Sequence, residues 1–147
     1  MRPEDEALRL QNQLCFPLYA AARKVTGLYQ PFLQPLGLTY TQYVAMLALW
    51  EEDGVSVSAL GERLYLDSGT LTPLLKKLEQ RGLLTRQRSA GDERVVVLRL
   101  TEAGRALREQ ARGIPARVGA CVPLAPGDAV TLYRLLHKIL EMTTACP

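Results

Sequence analysis

The hydrophobic period of this chain changes at Gly82, and that change limits the folds open to it. Before it, Leu71, Leu74, Leu75 and Leu78 recur at i, i+3, i+4 and i+7, the spacing of one face of a helix. After it, "LLTRQR" and "RVVVLRL" are rich in β-forming residues and flank the turn-like "SAGDE", which reads as a hairpin. Gly82 stands where a helix is expected to stop. A short helix after Ser58, in "SALGERLYL", comes first, and a tight "DSG" joins it to "TLTPLLKKLEQRG". Two short helices, a tight turn and an arginine-bearing hairpin are the layout of a winged helix-turn-helix. The expected fold is mainly α with a small β-hairpin wing, the winged core spanning residues 55–100.

The flanks read as helix. Leu14, Leu18, Ala22, Val25, Leu28 and Phe32 recur every three or four residues, which predicts a helix from about Asn12 to Leu33. Pro31 and Pro35 mark its end. Thr39 and Gln42 form a capping box for a second helix running to Gly54, with Leu38 and Tyr43 as its hydrophobic staple. After the hairpin, Thr101 caps "TEAGRALREQAR"; Pro115 and "VPLAPGD" break it, and "DAVTLYRLLHKILEM" closes the chain as a last helix.

Composition excludes several classes. A chain of 147 residues suits one domain with an appended oligomerisation element, and 48% hydrophobic residues suit a packed core. The longest apolar run, Val44 to Trp50, is seven residues, far below the roughly 18 of a membrane span. The charged start "MRPEDEALRL" lacks a signal core, so a soluble, unexported, cytoplasmic protein is expected. Three cysteines without a CxxC pair argue against a disulfide scaffold and a zinc site. The lone His137 reads as a solvated helix residue, and no metal or cofactor is expected.

The net charge is only +3, but Lys76, Lys77, Arg81, Arg86, Arg88, Arg94 and Arg99 crowd into one stretch. On the helix at 70–82, Gly69, Thr72, Pro73, Lys76 and Gln80 face away from the leucines, so the face has small residues near its start. A major groove admits one such helix. Ser68, Thr70 and Thr72 supply hydroxyls for phosphates and base edges. Asp67 or Ser68 caps the helix, whose first amides suit a phosphate. Arg88 and Arg94 flank the hairpin turn, as suits a narrow, electronegative minor groove. Asp92 is expected to orient an arginine, because a bare carboxylate repels phosphates.

Cys15 opens a second question. It lies a few residues after Asn12, a good helix cap, and hence in a first turn, where the helix dipole favours negative charge. The thiolate is the nucleophilic form of a cysteine. Tyr19 is one turn away on the same face, where it either donates to the thiolate or only packs. Phe16 and Leu18 give the thiol apolar neighbours. The local residues alone favour an inert, buried cysteine with core tyrosines. Pro17 fits a helix start and affects the thiol geometry.

Residues 55–101 resemble the winged-helix core of MarR-type regulators, in which an acidic residue, any residue and an arginine precede a strand ending in Leu-Thr. Here that motif is Asp92-Glu93-Arg94 through Leu100-Thr101. "NQLCFPLYAAARKVTGLYQPFLQPLGLTYTQYVAMLALWE" and "LGERLYLDSGTLTPLLKKLEQRGLLTRQRS" are similar to the organic hydroperoxide resistance regulators, a likeness covering most of residues 8–110. The resemblance implies a repressor that leaves DNA when a peroxide oxidises an N-terminal cysteine, here Cys15. It implies a homodimer on a palindromic duplex operator, with the helices at 8–35 and 101–145 as the dimerisation platform of a single domain over 1–147. It implies that Tyr29 and Tyr40 of the partner approach Cys15, and that Cys121 resolves its sulfenic acid as an intersubunit disulfide. Resolution by Cys146 or by a small cellular thiol stays open. Two other classes compete: a MarR-type repressor released by a non-covalent small molecule, and a thiol peroxidase. No general-base histidine lies near Cys15 in the sequence, so an enzyme is the weakest of the three.

Overall fold

The computed structural model describes residues 2–142. Helices α1 (Pro3–Ala7), α2 (Cys15–Gly27) and α3 (Gln30–Leu33) lead into α4 (Tyr40–Glu51), α5 (Val57–Leu64) and α6 (Ser68–Gln80). Strands β1 (Leu84–Arg88) and β2 (Val96–Leu100) follow, then α7 (Glu102–Ala111), α8 (Ile114–Gly119) and α9 (Pro126–Leu140). The strands pair antiparallel in the register Leu84 to Leu100, Arg86 to Leu98 and Arg88 to Val96. Leu98 N donates to Val55 O at 2.8 Å, and Ser56 bridges Val97, so the residues before α5 line the inner edge of the hairpin. This is a winged helix-turn-helix, mainly helical.

The local signals place most boundaries. Thr39 accepts from Gln42 N at 3.3 Å while its own amide donates to Gln42 Oε1 at 3.0 Å, closing the capping box of α4. Leu38 and Tyr43 are both buried at that junction. Asp67 caps α6 by accepting from Thr70 N at 3.1 Å, and Thr101 caps α7 by accepting from Gly104 N at 3.0 Å. Gly82, at φ +72°, ends α6.

Four boundaries differ from the sequence reading. The first long helix is interrupted: α2 stops at Gly27 and α3 begins at Gln30. Pro31 has no N–H for the Gly27 carbonyl four residues back, and its ring would crowd that carbonyl, so it enters a new helix instead. Asn12 does not cap α2; its amide donates to Glu6 O at 2.7 Å, and Leu14 precedes the helix without a side-chain cap. Helix α5 starts earlier than Ser58, because Ser56 Oγ accepts from Ala59 N at 3.0 Å. Pro115 opens α8, where its missing amide costs no helical bond, and Pro126 does the same for α9.

The core lies between α4, α6, the wing and α7. Tyr43, Met46 and Leu49 meet Leu71, Leu75 and Leu78, with Leu84 and Leu98 from the strands and Leu107 from α7. A Cβ on Gly104 would come within 2.0 Å of the Leu83 carbonyl, so glycine lets α7 sit against the start of β1. Trp50 Nε1 donates to Gly104 O at 2.8 Å and ties the same helix to α4. Helices α2 and α9 bury no residue in the single chain. Phe16, Leu18 and Val25 on α2, and Leu132, Leu135 and Ile139 on α9, remain exposed.

Candidate nucleic-acid interface and thiol site

Helix α6 turns its four leucines into the core, and this presents Ser68, Gly69, Thr70, Thr72, Pro73 and Lys76 to solvent. A groove of about 820 Å³ separates this face from the wing, lined among others by Asp67, Ser68, Thr72, Arg86 and Arg94. Hydrogen bonds from the Thr70 side chain and then its amide hold the Asp67 carboxyl below the usual carboxylate range. Asp67 is therefore an ionised cap.

The wing arginines fall into two kinds. Arg94, 92% exposed, donates from Nε to Asp92 Oδ1 at 3.2 Å, and its amide donates to the same oxygen at 3.0 Å. Those bonds, amide first, keep the Asp92 carboxyl below its usual range. Arg88 is exposed and reaches across the turn to Glu93 O at 2.7 Å. Arg86 points back instead: its amide and guanidinium donate to Glu79 of α6 at 2.9 and 3.1 Å. The Glu79 carboxyl is lowered chiefly by the Arg86 side chain. Arg86 is thus a brace between β1 and α6, while Arg88, Asp92 and Arg94 form the tip.

Tyr65 was not singled out by the sequence pattern. It ends α5 at φ +55° and is the one non-glycine residue with positive φ among the described residues. Its ring is exposed at the helix-turn-helix corner and lines the same groove. The sequence signal was its place between the leucine-bearing end of α5 and the Asp67 cap, where an aromatic has no helical face to join.

The thiol side divides between the two ends of α2. Cys15 is the first residue of the helix and is exposed. Tyr19 is also exposed, with the Arg23 guanidinium 5.5 Å from its ring centroid. Tyr29 stands beyond the other end, its ring 5.0 Å from Tyr40 and 5.6 Å from Tyr43. Burial, then the neighbouring Tyr29, raises the Tyr40 phenol above its ordinary value, so it remains a proton donor at neutral pH. The 13 residues of α2 span about 20 Å at 1.5 Å per residue. Within one chain Cys15 and Tyr29 are therefore held apart.

Cys121 follows α8, one turn beyond Arg117. Its exposed Sγ donates to Arg117 O at 3.4 Å, and the Arg117 guanidinium lies 4.3 Å from the Phe32 ring centroid, one turn beyond Tyr29. A hollow of about 640 Å³ opens beside Tyr40, lined among others by Arg23, Thr26, Gln30 and Gln34. Cys146 lies outside the described residues. His137 stacks on Tyr133 at 4.1 Å, and among the described residues no cluster of His, Cys, Asp and Glu is arranged to hold a metal.

Residues 27–110 match the family model of the SarA/Rot transcriptional regulators. The chain is 47% identical to the organic hydroperoxide resistance transcriptional regulator of Bacillus subtilis (strain 168), over 96% of both chains. It is similar to the DNA-bound structure of reduced AbfR, a protein of Staphylococcus epidermidis: TM-score 0.78, 35% identity, 94% of this chain and 96% of that one. It is also similar to the disulfide-formed structure of AbfR: TM-score 0.65, 35% identity, 94% of this chain and 97% of that one. The matched family and the Bacillus subtilis relative are transcriptional regulators. The winged core, its wing motif and this near full-length identity make the chain a member of the MarR-type winged-helix regulators, related to the organic hydroperoxide resistance group.

Proposed function

We propose that this regulator binds a palindromic duplex operator as a homodimer and releases it when an organic hydroperoxide oxidises Cys15. The observation that carries the reading is the separation of Cys15 from Tyr29 and Tyr40 at opposite ends of α2. Helices α2 and α9 expose apolar side chains along their length, more than a monomer keeps in water. A second copy packed antiparallel along α2 covers that face, and it brings each Cys15 to the partner's tyrosine end.

The chemistry follows from that juxtaposition. The Cys15 thiolate attacks the outer peroxide oxygen, the O–O bond breaks, and the alkoxide takes a proton to leave as an alcohol. Tyr40 and Tyr29 of the partner subunit donate hydrogen bonds to the charge that develops, and Tyr19 borders the thiol. The Cys121 thiolate then attacks the sulfenic sulfur and expels water. Two thiols and one peroxide give one disulfide, one alcohol and one water. A disulfide needs α-carbons within ~7 Å, so closing it draws the α8 end of one subunit onto α2 of the other. The two copies of α6 shift together, and half-site spacing, which follows the DNA helical repeat, is lost. On DNA, α6 enters the major groove with Ser68, Thr70, Thr72 and Lys76, with Asp67 as cap. The wing tip places Arg88 and Arg94 at the minor groove, Asp92 orients Arg94, and Arg86 braces the wing.

The test is DNA release. Affinity for a labelled duplex, selected by the reduced protein from a randomised pool and read by anisotropy, should fall after about one equivalent of cumene hydroperoxide, by the ~5- to 150-fold typical of allosteric coupling. Cys15→Ser should bind the duplex and ignore the peroxide. Release of that variant by peroxide would contradict the reading. The hollow beside Tyr40 supports a second reading, release by a non-covalent small molecule; it requires release of the Cys15→Ser protein by ligand under reducing conditions.

A further inference from the structure

The residue that follows α6 is bonded to the segment that carries Tyr40. Arg81 caps the C-terminus of α6 with its backbone, its amide donating to Lys77 O at 3.1 Å. Its guanidinium reaches 44 residues back, where Nη1 donates to Gly37 O at 2.5 Å and Nη2 donates to Leu36 O at 2.9 Å. The planar fork of arginine suits two adjacent acceptors, which a lysine ammonium cannot span with fixed geometry. Gly37 is required twice over. Its φ is +66°, and a Cβ there would stand 2.9 Å from Arg81 Nη2.

Neither end of this link has slack. On one side Gly37 N donates to Gln34 O at 2.9 Å and Leu38 N to Leu33 O at 3.2 Å. Leu38 is buried, and the Thr39–Gln42 box then fixes Tyr40 at the start of α4, its ring against Tyr29. On the other side Gly82 N donates to Glu79 O at 2.9 Å and Leu83 N to Leu78 O at 3.1 Å. Glu79 in turn holds Arg86 of the wing. One side chain therefore joins the tyrosine end of the thiol site to the junction of recognition helix and wing.

We infer that Arg81 is a positioning residue that transmits displacement of Tyr40 to the recognition helix through the Leu36 and Gly37 carbonyls. The inference rests on the peroxide-sensing reading above. When a partner's oxidised Cys15 shifts the Tyr29–Tyr40 pair, the Gly37 turn moves with it, and Arg81 carries the end of α6.

The experiment uses the full-length protein and the duplex selected from a randomised pool. Wild type, Arg81→Lys and Arg81→Ala are compared for duplex affinity before and after cumene hydroperoxide. Cys15 oxidation is followed by mass in the same samples, and hydrogen exchange of residues 68–81 is read with and without oxidation. All three should oxidise Cys15 within about twofold of one another. Wild type should lose at least ~10-fold in affinity and the variants less than about threefold, a loss of coupling on the scale of allosteric effects. Oxidation should change hydrogen exchange in α6 of the wild type only, a readout that holds even for a variant with weak DNA binding. Variants that release DNA, or change exchange in α6, as the wild type does would overturn the inference alone. A wild type that oxidises Cys15 yet keeps its DNA would overturn the sensing reading and the inference with it.

Discussion

The Arg117 guanidinium lies 4.3 Å from the centroid of the Phe32 ring, and this contact seats α8 against α3. One turn later Cys121 donates its S–H to the Arg117 carbonyl. The same residue thus stacks its guanidinium on Phe32 while its carbonyl holds the Cys121 thiol, the group proposed to resolve the sulfenic acid. Loosening it should slow the second oxidation step and spare the first. Arg117→Ala should form Cys15 sulfenic acid at the wild-type rate but close the disulfide ~2- to 5-fold more slowly, the worth of an exposed cation–π contact of about 0.5–1 kcal/mol. Trapping the sulfenic acid with dimedone at timed intervals separates the two rates.

Tyr40 is assigned a hydrogen bond to a developing anion, and such bonds contribute about 1.5–3 kcal/mol. Tyr40→Phe should therefore slow Cys15 oxidation by roughly 10- to 100-fold, while the reduced protein keeps its DNA affinity. Burial raises the phenol above its ordinary value of 10.0. A group raised in this way stays protonated through neutral and mildly alkaline pH. The oxidation rate should therefore show no loss of the tyrosine donor below pH 10.0. Stopped-flow tyrosine fluorescence across pH 6–10 measures both effects.

The two kinds of wing arginine should separate in mutants. Arg94 stands at the tip and its side chain bonds to Asp92, two residues away, so Arg94→Ala should weaken DNA binding by roughly 5- to 150-fold and leave the melting temperature unchanged. Lys76→Ala should lower the salt dependence of binding by about one phosphate contact. Arg86 braces Glu79, so Arg86→Ala should lower both affinity and melting temperature. The Glu79 carboxyl is held below the usual range by Arg86. Its contribution is present above that range and is lost as pH falls through it, so Glu79→Gln should flatten the acid limb of the wild-type stability profile. Thermal melts between pH 3 and pH 7 read this directly.

What was legible in the sequence was local. The Thr39–Gln42 box, the Asp67 and Thr101 caps, the leucine face of α6 and the hairpin are set by residues within a few positions of one another. The helix breaks were only half legible. Pro31 and Pro115 were visible as breakers, but each starts a new helix, because a proline in a first turn sacrifices no bond. Asn12 fits a cap by type, yet its amide is used by Glu6 O in the turn before. The partners of Arg81, Trp50 and Arg117 were not legible, because they lie far away in the chain and no periodicity encodes them. Arg86 joins the basic stretch by charge, and its bond to Glu79 of α6 was not legible in that pattern.

The central claim is that Cys15 of one chain meets Cys121 of the other, and mixed dimers test it most directly. Cys15→Ser and Cys121→Ser chains, refolded together and treated with about one equivalent of cumene hydroperoxide, contain no chain with both thiols. Peptide mapping by mass under non-reducing conditions should find a Cys15–Cys121 crosslink between the two chains, in the mixture and in neither variant alone. Cys15 recovered only as a sulfenic acid or joined to Cys146, with Cys121 free, would contradict the account.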